Sequence, residues 1–305
     1  MLDVALVGTG GTLPLPQRYL ASALIRYQGE LILIDCGEGT QVSLRELGWG
    51  LRNIGVILIT HFHADHISGL PGLLLTIGNS GREANEPLII AGPKGLKRVV
   101  DSLRVIAPRL PFPIELVEMD AQLEDFYQFK DFSISATPAD HEIFCLSYRF
   151  DLFRAAEFLP EAAKALDIPI KRWKDLQRGE TVEHNGTTYY PHQVMGEDRP
   201  GLRLGYITDS RPTQNLVEFV EGSNLLICEG TYGDPADLPK AKENKHMTFA
   251  EAGLLGKAAG VEQLWLTHFS AAMPFPKQYY NEITQFFPGA KLGTDHLQTT
   301  LRFQD

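Results

Sequence analysis

The stretch Thr60-His61-Phe62-His63-Ala64-Asp65-His66 decides how this chain is interpreted. It closes an apolar, β-branched run at residues 56–60 that predicts a buried strand, and it precedes a predicted helix at residues 69–77. Three of the nine histidines of the chain fall within residues 61–66, together with Asp65. Imidazole and carboxylate at this density are the ligands that zinc accepts, so we predict a metal site at the end of this strand.

The spacing within the stretch suggests two ions. His61 and His63 alternate across a turn and can share one ion, whereas Asp65 and His66 can reach a second ion beside it. A polar loop with chance histidines is the alternative, which the density of ligands disfavours.

Further ligand candidates follow other predicted strands. His141 comes after a strand-like segment at residues 132–136, Asp209 ends a strand at residues 205–209, and His268 ends a strand at residues 263–268. In α/β proteins, sites form where the same ends of several strands meet. We therefore expect these three side chains to complete the metal site, although each taken alone fits a capping or surface residue.

Strands alternate with helices along most of the chain. Since helices must cover the outer faces of the sheets, this alternation predicts an α/β fold, an αββα four-layer sandwich formed by a single domain over residues 1–305. The remaining predicted strands are residues 4–7, 31–34, 88–93 and 224–229, and the helices are residues 41–47, 69–77, 94–106, 214–220 and 248–259.

Composition restricts partners and compartment. The net charge of −10 disfavours general binding to nucleic acid, so an RNA substrate would need a local basic surface or metal ions. Cys36, Cys145 and Cys228 are widely spaced within apolar runs, which predicts buried thiols in a reducing compartment. We see neither a signal peptide nor a membrane span, and expect a cytoplasmic protein with no membrane partner.

Residues 151–201 interrupt the alternation. They contain an amphipathic stretch at residues 154–166, the basic and aromatic run Lys171-Arg172-Trp173-Lys174, and a predicted hairpin at residues 182–187 with an Asn-Gly turn. Long excursions from compact domains are often functional, so we expect a protruding arm here. An ordinary surface insertion is the alternative.

Taken in order, the ligand candidates resemble the motif set of the metallo-β-lactamase superfamily. Segments outside the ligands resemble ribonuclease Z in particular, and the resemblance extends over nearly the whole chain. These segments are residues 7–12, 35–41, 69–74, 92–95 and 178–182. The resemblance implies a zinc-dependent phosphodiesterase, an endoribonuclease that removes 3′ trailers from tRNA precursors. It also implies a homodimer.

The resemblance further implies how the ligands are shared between two zinc ions per chain, with manganese or iron as alternatives. One ion would be held by His61, His63 and His141, and the other by Asp65, His66 and His268, with Asp209 bridging both. Asp65 would also orient the attacking hydroxide or take its proton.

His246 is the candidate proton donor to the leaving 3′-oxygen. It lies in Lys245-His246-Met247-Thr248, which resembles a His-Ser-Thr segment of the family, and Glu229 in Cys228-Glu229-Gly230-Thr231 is its expected partner. A carboxylate beside His246 would orient the ring and raise its pKa. A surface position at the start of a helix is the alternative for His246.

Two departures from the family keep other functions open. The Gly-Pro pair of the family's arm is missing from residues 151–201, and Ala272 stands where the family carries an Arg after His268. A hydrolase of small phosphodiesters or other esters is therefore the second candidate, and a metal-bound RNA-binding protein without catalysis the third. Asp35 is a candidate hydrogen-bond partner of the metal loop, whereas His184, His192 and His296 are interpreted as surface or structural residues.

Overall fold

The structure is a computed structural model that describes residues 1–304. It contains two seven-stranded sheets. In spatial order, the first sheet consists of Gln298–Leu301, Leu2–Gly8, Ser22–Tyr27, Glu30–Ile34, Ile54–Leu58, Leu88–Pro93 and Ile114–Met119. The second consists of Lys291–Leu292, Leu264–Thr267, Leu225–Glu229, Leu202–Ile207, Cys145–Leu152, Phe132–Ala139 and Leu123–Phe129. Two short pairs, Gly10–Gly11 with Phe269–Ser270 and Val182–His184 with Thr187–Tyr189, complete the strands.

Short helices connect the strands. The α-helices are Thr40–Leu47, Ala64–Ile67, Leu70–Gly78, Leu96–Leu103, Pro160–Ala165, Ile170–Gln177, Gln214–Phe219, Leu238–Glu243, Phe249–Ala258 and Tyr280–Thr284. Four 3₁₀ turns lie at Arg104–Ile106, Pro191–Gln193, Pro235–Asp237 and Pro276–Tyr279. None of the helices within residues 1–304 combines the length and the apolar character that crossing a membrane would require.

The sheets and helices form the four layers that the alternation predicts. Leu73 and Val100, from two helices, pack with Ile57 in the core of the first sheet. On the second sheet, a separate cluster joins helical residues such as Phe249 to Leu226. Between the sheets, the buried Tyr148 hydroxyl donates a hydrogen bond to the Ile59 carbonyl, 2.7 Å away. The αββα sandwich is thus confirmed, and Cys36, Cys145 and Cys228 are buried free thiols as predicted.

Parallel pairing sets the position of the functional residues. Ile54–Leu58 pairs parallel with Glu30–Ile34 in the first sheet, and Leu225–Glu229 pairs parallel with Leu202–Ile207 and Leu264–Thr267 in the second. Carboxyl ends of parallel strands meet at one edge of a sheet. The polar residues that follow these strands therefore emerge side by side.

By contact density the chain divides into two compact units, one of residues 1–151 and 203–302, and one of residues 152–202 with the C-terminal residues from Phe303. The second unit has its own small core, in which Leu176 and Val194 are completely buried. Its predicted hairpin forms, and Asn185 and Gly186 occupy the turn with φ of 51° and 77°. Such left-handed angles at both turn positions are what an Asn-Gly pair accommodates.

The amphipathic stretch at residues 154–166 is helical only over Pro160–Ala165. Proline disfavours the helical conformation in the residue before it, and Leu159 is extended, with φ −103° and ψ 90°. The Leu159 N–H instead donates to the Val194 carbonyl at 2.8 Å. The helix in this stretch therefore begins at Pro160.

Candidate metal centre

Asp35 organises the loop that begins at Thr60. Its carboxylate accepts hydrogen bonds from the Thr60 backbone N–H at 2.8 Å and from the Thr60 hydroxyl at 2.9 Å. The other partner of Asp35 is His66 Nδ1, also at 2.8 Å. The sequence singles out Asp35 as a candidate partner of the loop, and the structure places it in contact with both ends of that loop.

The first ligand group consists of His61, His63, His141 and Asp209, whose ligand atoms lie within 4.8 Å of one another. His141 Nε2 is 3.3 Å from His63 Nδ1. The Asp209 Oδ2 atom is 3.5 Å from His61 Nε2 and 3.8 Å from His141 Nε2. One carboxylate oxygen and three ring nitrogens therefore surround one point.

The second ligand group consists of Asp65, His66 and His268, again within 4.8 Å. The Nε2 atoms of the two histidines are 3.3 Å apart, and each is 3.4 Å from Asp65 Oδ2. Asp209 turns its other oxygen, Oδ1, to this group, at 3.1 Å from His268 Nε2 and 3.5 Å from His66 Nε2. The two oxygens of Asp209 thus face different groups.

Several features of the cluster fit metal ions. His61 Nε2 is buried and forms no hydrogen bond with any residue from 1 to 304. Burial lowers the pKa of His61 and of His141, so these rings are neutral and offer a lone pair. Although burial opposes its ionisation, the surrounding histidine side chains, His268 and His66 foremost, hold the pKa of Asp209 well below its usual range. The His/Asp cluster can therefore hold metal ions.

Two glycines allow the backbone to approach the centre. A Cβ atom on Gly11 would lie 2.6 Å from the His268 ring, and one on Gly37 would lie 2.0 Å from the Asp65 carbonyl oxygen. The residue after Gly11 makes a direct contact, because the Thr12 N–H donates to Asp65 Oδ2 at 2.7 Å. Side chains at either glycine would displace a residue of the second ligand group.

His246 and Glu229 lie next to this cluster. His246 Nδ1 is 3.2 Å from Glu229 Oε1, and the carboxylate is completely buried. Although burial favours the neutral ring, the Glu229 charge and hydrogen bond raise the pKa of His246 to about 9. His246 also lies within 4.8 Å of His268 and Asp209, so it is placed either to donate a proton beside the centre or to act as a ligand.

Some residues of the site were missed from the sequence. Arg211 forms an ion pair with Glu251 and donates to the His246 carbonyl, which holds the loop that carries His246. The Lys245 carbonyl lies 3.2 Å from His141 Nδ1 and fixes that ring. Nothing in the local pattern marks these contacts, because they join segments distant in sequence.

The three histidines interpreted as surface or structural residues lie outside the ligand groups. They are His184, His192 and His296. His296 Nε2 is 2.8 Å from the Ser43 hydroxyl in the first unit, which is a structural contact. In the second unit, His192 stacks on Tyr190 with ring centroids 5.7 Å apart, and His184 lies in the hairpin.

The chain is similar to known proteins in sequence and in fold. A family model described as "Anti-Pycsar protein Apyc1" matches residues 2–154, which include His61 to His66 and His141. Ribonuclease Z of Clostridium kluyveri is 48% identical over 305 residues, with 100% of each chain covered.

Two further likenesses extend over nearly the full length. Ribonuclease Z of Lachnoclostridium phytofermentans is 46% identical over 303 residues, which cover 99% of each chain. The solved structure of human tRNase Z, short form, has a TM-score of 0.71 at 24% identity and covers 99% of this chain and 100% of its own, which shows a shared fold. Sequence identities of 46% and 48% over 99–100% of both chains far exceed what a shared fold requires. The chain therefore belongs to the ribonuclease Z family.

Proposed function

We propose that this protein is a two-metal endoribonuclease that removes 3′ trailers from tRNA precursors. The observation that carries the proposal is the placement of Asp209 between two ligand groups, with His246 at the same centre. Full-length relatives named ribonuclease Z and a solved tRNase Z of the same fold support the substrate class.

Two zinc ions per chain fit the donor set. His61, His63 and His141 would hold one ion, and Asp65, His66 and His268 the other. Asp209, whose two oxygens face different ligand groups, would be shared by both ions. When bound, such a pair of ions acts as a Lewis acid that neutralises charge on a phosphodiester. Manganese or iron would accept similar ligands.

Asp65 is the candidate proton acceptor for the attacking water. Although burial opposes ionisation, the neighbouring histidine side chains lower the pKa of Asp65, so its carboxylate is charged at neutral pH. The Thr12 N–H at 2.7 Å holds Oδ2 in place. An ionised and oriented carboxylate can position a water molecule and take up its proton.

His246 supplies the proton that the leaving 3′-oxygen requires. Its side chain is 14% exposed, so the ring borders both the buried Glu229 and the space that a substrate would enter. With a pKa of about 9 the ring is protonated at neutral pH, and a general acid must hold its proton before the bond breaks.

The second unit is the candidate RNA-binding arm of a single catalytic domain. Helix Ile170–Gln177 carries Lys171, Arg172 and Lys174, all of which are exposed. In a chain of net charge −10, such cations are needed where an RNA backbone is to bind. Residence in the cytoplasm, where tRNA precursors occur, and a homodimer as in the family belong to the same proposal.

Incubation with a tRNA precursor that carries a 3′ trailer tests the proposal, with a small chromogenic phosphodiester in parallel. We expect cleavage at the trailer that depends on added divalent metal. If only the small phosphodiester is hydrolysed, the proposed RNA substrate is wrong and the small-molecule hydrolase becomes the better assignment. If neither is hydrolysed with metal bound, the binding protein without catalysis remains.

A further inference from the structure

The hydroxyl of Thr231 lies between a metal-ligand candidate and the carboxylate of the proton-donor pair. Thr231 Oγ1 is 2.6 Å from Glu229 Oε2 and 3.0 Å from His268 Nδ1. The threonine is 4% exposed, so water does not compete for these partners. Oε1 of the same glutamate serves His246, at 3.2 Å.

The proton count decides the direction of these hydrogen bonds. A threonine hydroxyl has one proton to donate, and an ionised carboxylate can only accept. Both oxygens of Glu229 act as acceptors, because Oε1 accepts from the Ser210 backbone N–H at 2.7 Å and Oε2 from the Met247 backbone N–H at 3.1 Å. The acceptors within reach of the Thr231 hydroxyl are Glu229 Oε2, at an oxygen–oxygen distance of 2.6 Å, and the His268 carbonyl oxygen at 3.1 Å, so the proton points to the nearer carboxylate. His268 Nδ1 must then be the donor to Thr231 Oγ1, which leaves the Nε2 lone pair free to face Asp65 and Asp209.

The same arrangement occurs at the other ligand group. The Thr60 hydroxyl lies 2.9 Å from Asp35 Oδ2 and 3.1 Å from His61 Nδ1. Asp35 also contacts His66 directly, at 2.8 Å. Each carboxylate, Asp35 or Glu229, thus contacts one histidine directly. Each also contacts the hydroxyl of a threonine that in turn contacts a second histidine. They differ in one respect, since both histidines of Asp35 are ligand candidates, whereas one histidine of Glu229 is the proton donor.

We propose that Thr231 is a positioning residue that fixes the Nδ1–H tautomer of His268 and ties this metal ligand to the carboxylate that orients His246. Hydrogen bonds of this kind orient a ligating imidazole and raise its basicity. Removal of the Thr231 hydroxyl would therefore disturb metal binding and proton donation together. Removal of the Thr60 hydroxyl would disturb metal binding alone. The part that concerns proton donation rests on the proposed phosphodiesterase function, and the part that concerns the His268 tautomer does not.

The test compares Thr231→Val, which keeps the shape but loses the hydroxyl, with Thr231→Ser and with the matched variant Thr60→Val. Zinc affinity is measured by competition with a chelator. We expect both valine variants to bind zinc about 10–100-fold more weakly, the usual effect of losing such a hydrogen bond, and the serine variant to recover most of the affinity. Wild-type zinc affinity in Thr231→Val would overturn the proposal.

Rates at saturating zinc separate the two threonines. Thr231→Val should lose more activity on unactivated RNA than on a chromogenic phosphodiester, whose leaving group needs no proton. Thr60→Val should lose equal factors on both substrates. If Thr231→Val, like Thr60→Val, lost equal factors of activity on the two substrates, the proposed link between Thr231 and His246 would be overturned.

Nitrogen-15 NMR of the zinc-loaded wild type and of Thr231→Ser reads the tautomer directly, even if the valine variant does not fold. An exchange-protected Nδ1–H on His268 is expected, and a His268 ring that carries its proton on Nε2 contradicts the proposal. This measurement requires no substrate, so its outcome is independent of whether the protein cleaves tRNA.

Discussion

The carboxylate of Asp35 lies 2.8 Å from Nδ1 of His66, and both side chains are completely buried. Neither atom can exchange its partner for water. Leaving a buried hydrogen-bonding group without its partner typically costs about 1–3 kcal/mol, and loss of Asp35 would leave both the His66 ring and the Thr60 N–H in that state. We expect Asp35→Ala to lower the free energy of unfolding by an amount of that order, measured by urea denaturation.

Asp101→Ala is the matched control for Asp35→Ala. Asp101 pairs with Lys97 at 2.6 Å on an exposed helix face, where its side chain is 51% exposed. Pairs of this type contribute roughly 0.3–0.5 kcal/mol. Similar losses in the two variants would show that Asp35 does not hold the loop.

The number of metal ions bound per chain tests whether the ligand candidates form two separate metal sites. Elemental analysis of the purified protein should give two ions per chain, because Asp209 presents one oxygen to each ligand group. His63→Ala removes a nitrogen from the first group only and should reduce the count towards one. A single ion in the wild type, together with full activity, would contradict the two-metal proposal.

The role of His246 predicts a dependence on the leaving group. His246→Ala should retain both metal ions and reduce the turnover of RNA by roughly 10²–10⁴-fold, the usual contribution of a positioned acid. A chromogenic phosphodiester should be much less affected. Loss of a metal ion from this variant would instead assign His246 as a ligand, a role that its distance to Asp209 and His268 also allows.

The contact between Glu229 and His246 predicts how the pH dependence of kcat on RNA will shift when Glu229 is replaced. The acid form of His246 is lost as the pH rises through its pKa of about 9, so kcat on RNA should fall there. Glu229→Gln removes the charge that raises this pKa while keeping the size of the side chain. The alkaline limb should then move to lower pH, towards the ordinary histidine value of 6.5. An unmoved limb would show that another group titrates.

The basic helix of the second unit predicts a salt effect. Reversing the charge at Lys171, Arg172 and Lys174 should weaken the binding of a tRNA precursor and flatten its salt dependence, by up to about one unit of slope per lost phosphate contact. Hydrolysis of a small phosphodiester should be unchanged, since all ligand candidates lie in the first unit. Reversal at Lys97, in the first unit and 71% exposed, is the control. Equal effects on both substrates would reject the arm as an RNA-binding surface.

The sequence by itself determined the fold class and the family. Strands such as Leu225–Glu229 are buried along their whole length, so their apolar runs are unambiguous. The edge strands Ile114–Met119 and Leu123–Phe129 were not predicted, because they are half-exposed and mix polar with apolar residues. The interior strands Ser22–Tyr27 and Cys145–Leu152 were not predicted either, although they are largely buried. A strand with one neighbour depends on its pairing partner more than on its own pattern.

The site residues also divide into those that the sequence indicates and those that only the tertiary structure brings together. The order of His61, His63, Asp65 and His66 along one loop indicates metal before any fold is known, because ligands that are neighbours in sequence need no long-range contact to be recognised. Only the tertiary structure decided which oxygen of Asp209 faces which ligand group, and that Thr231 joins Glu229 to His268 across 37 residues. Such relationships depend on the register and packing of separate strands, which a local pattern does not encode.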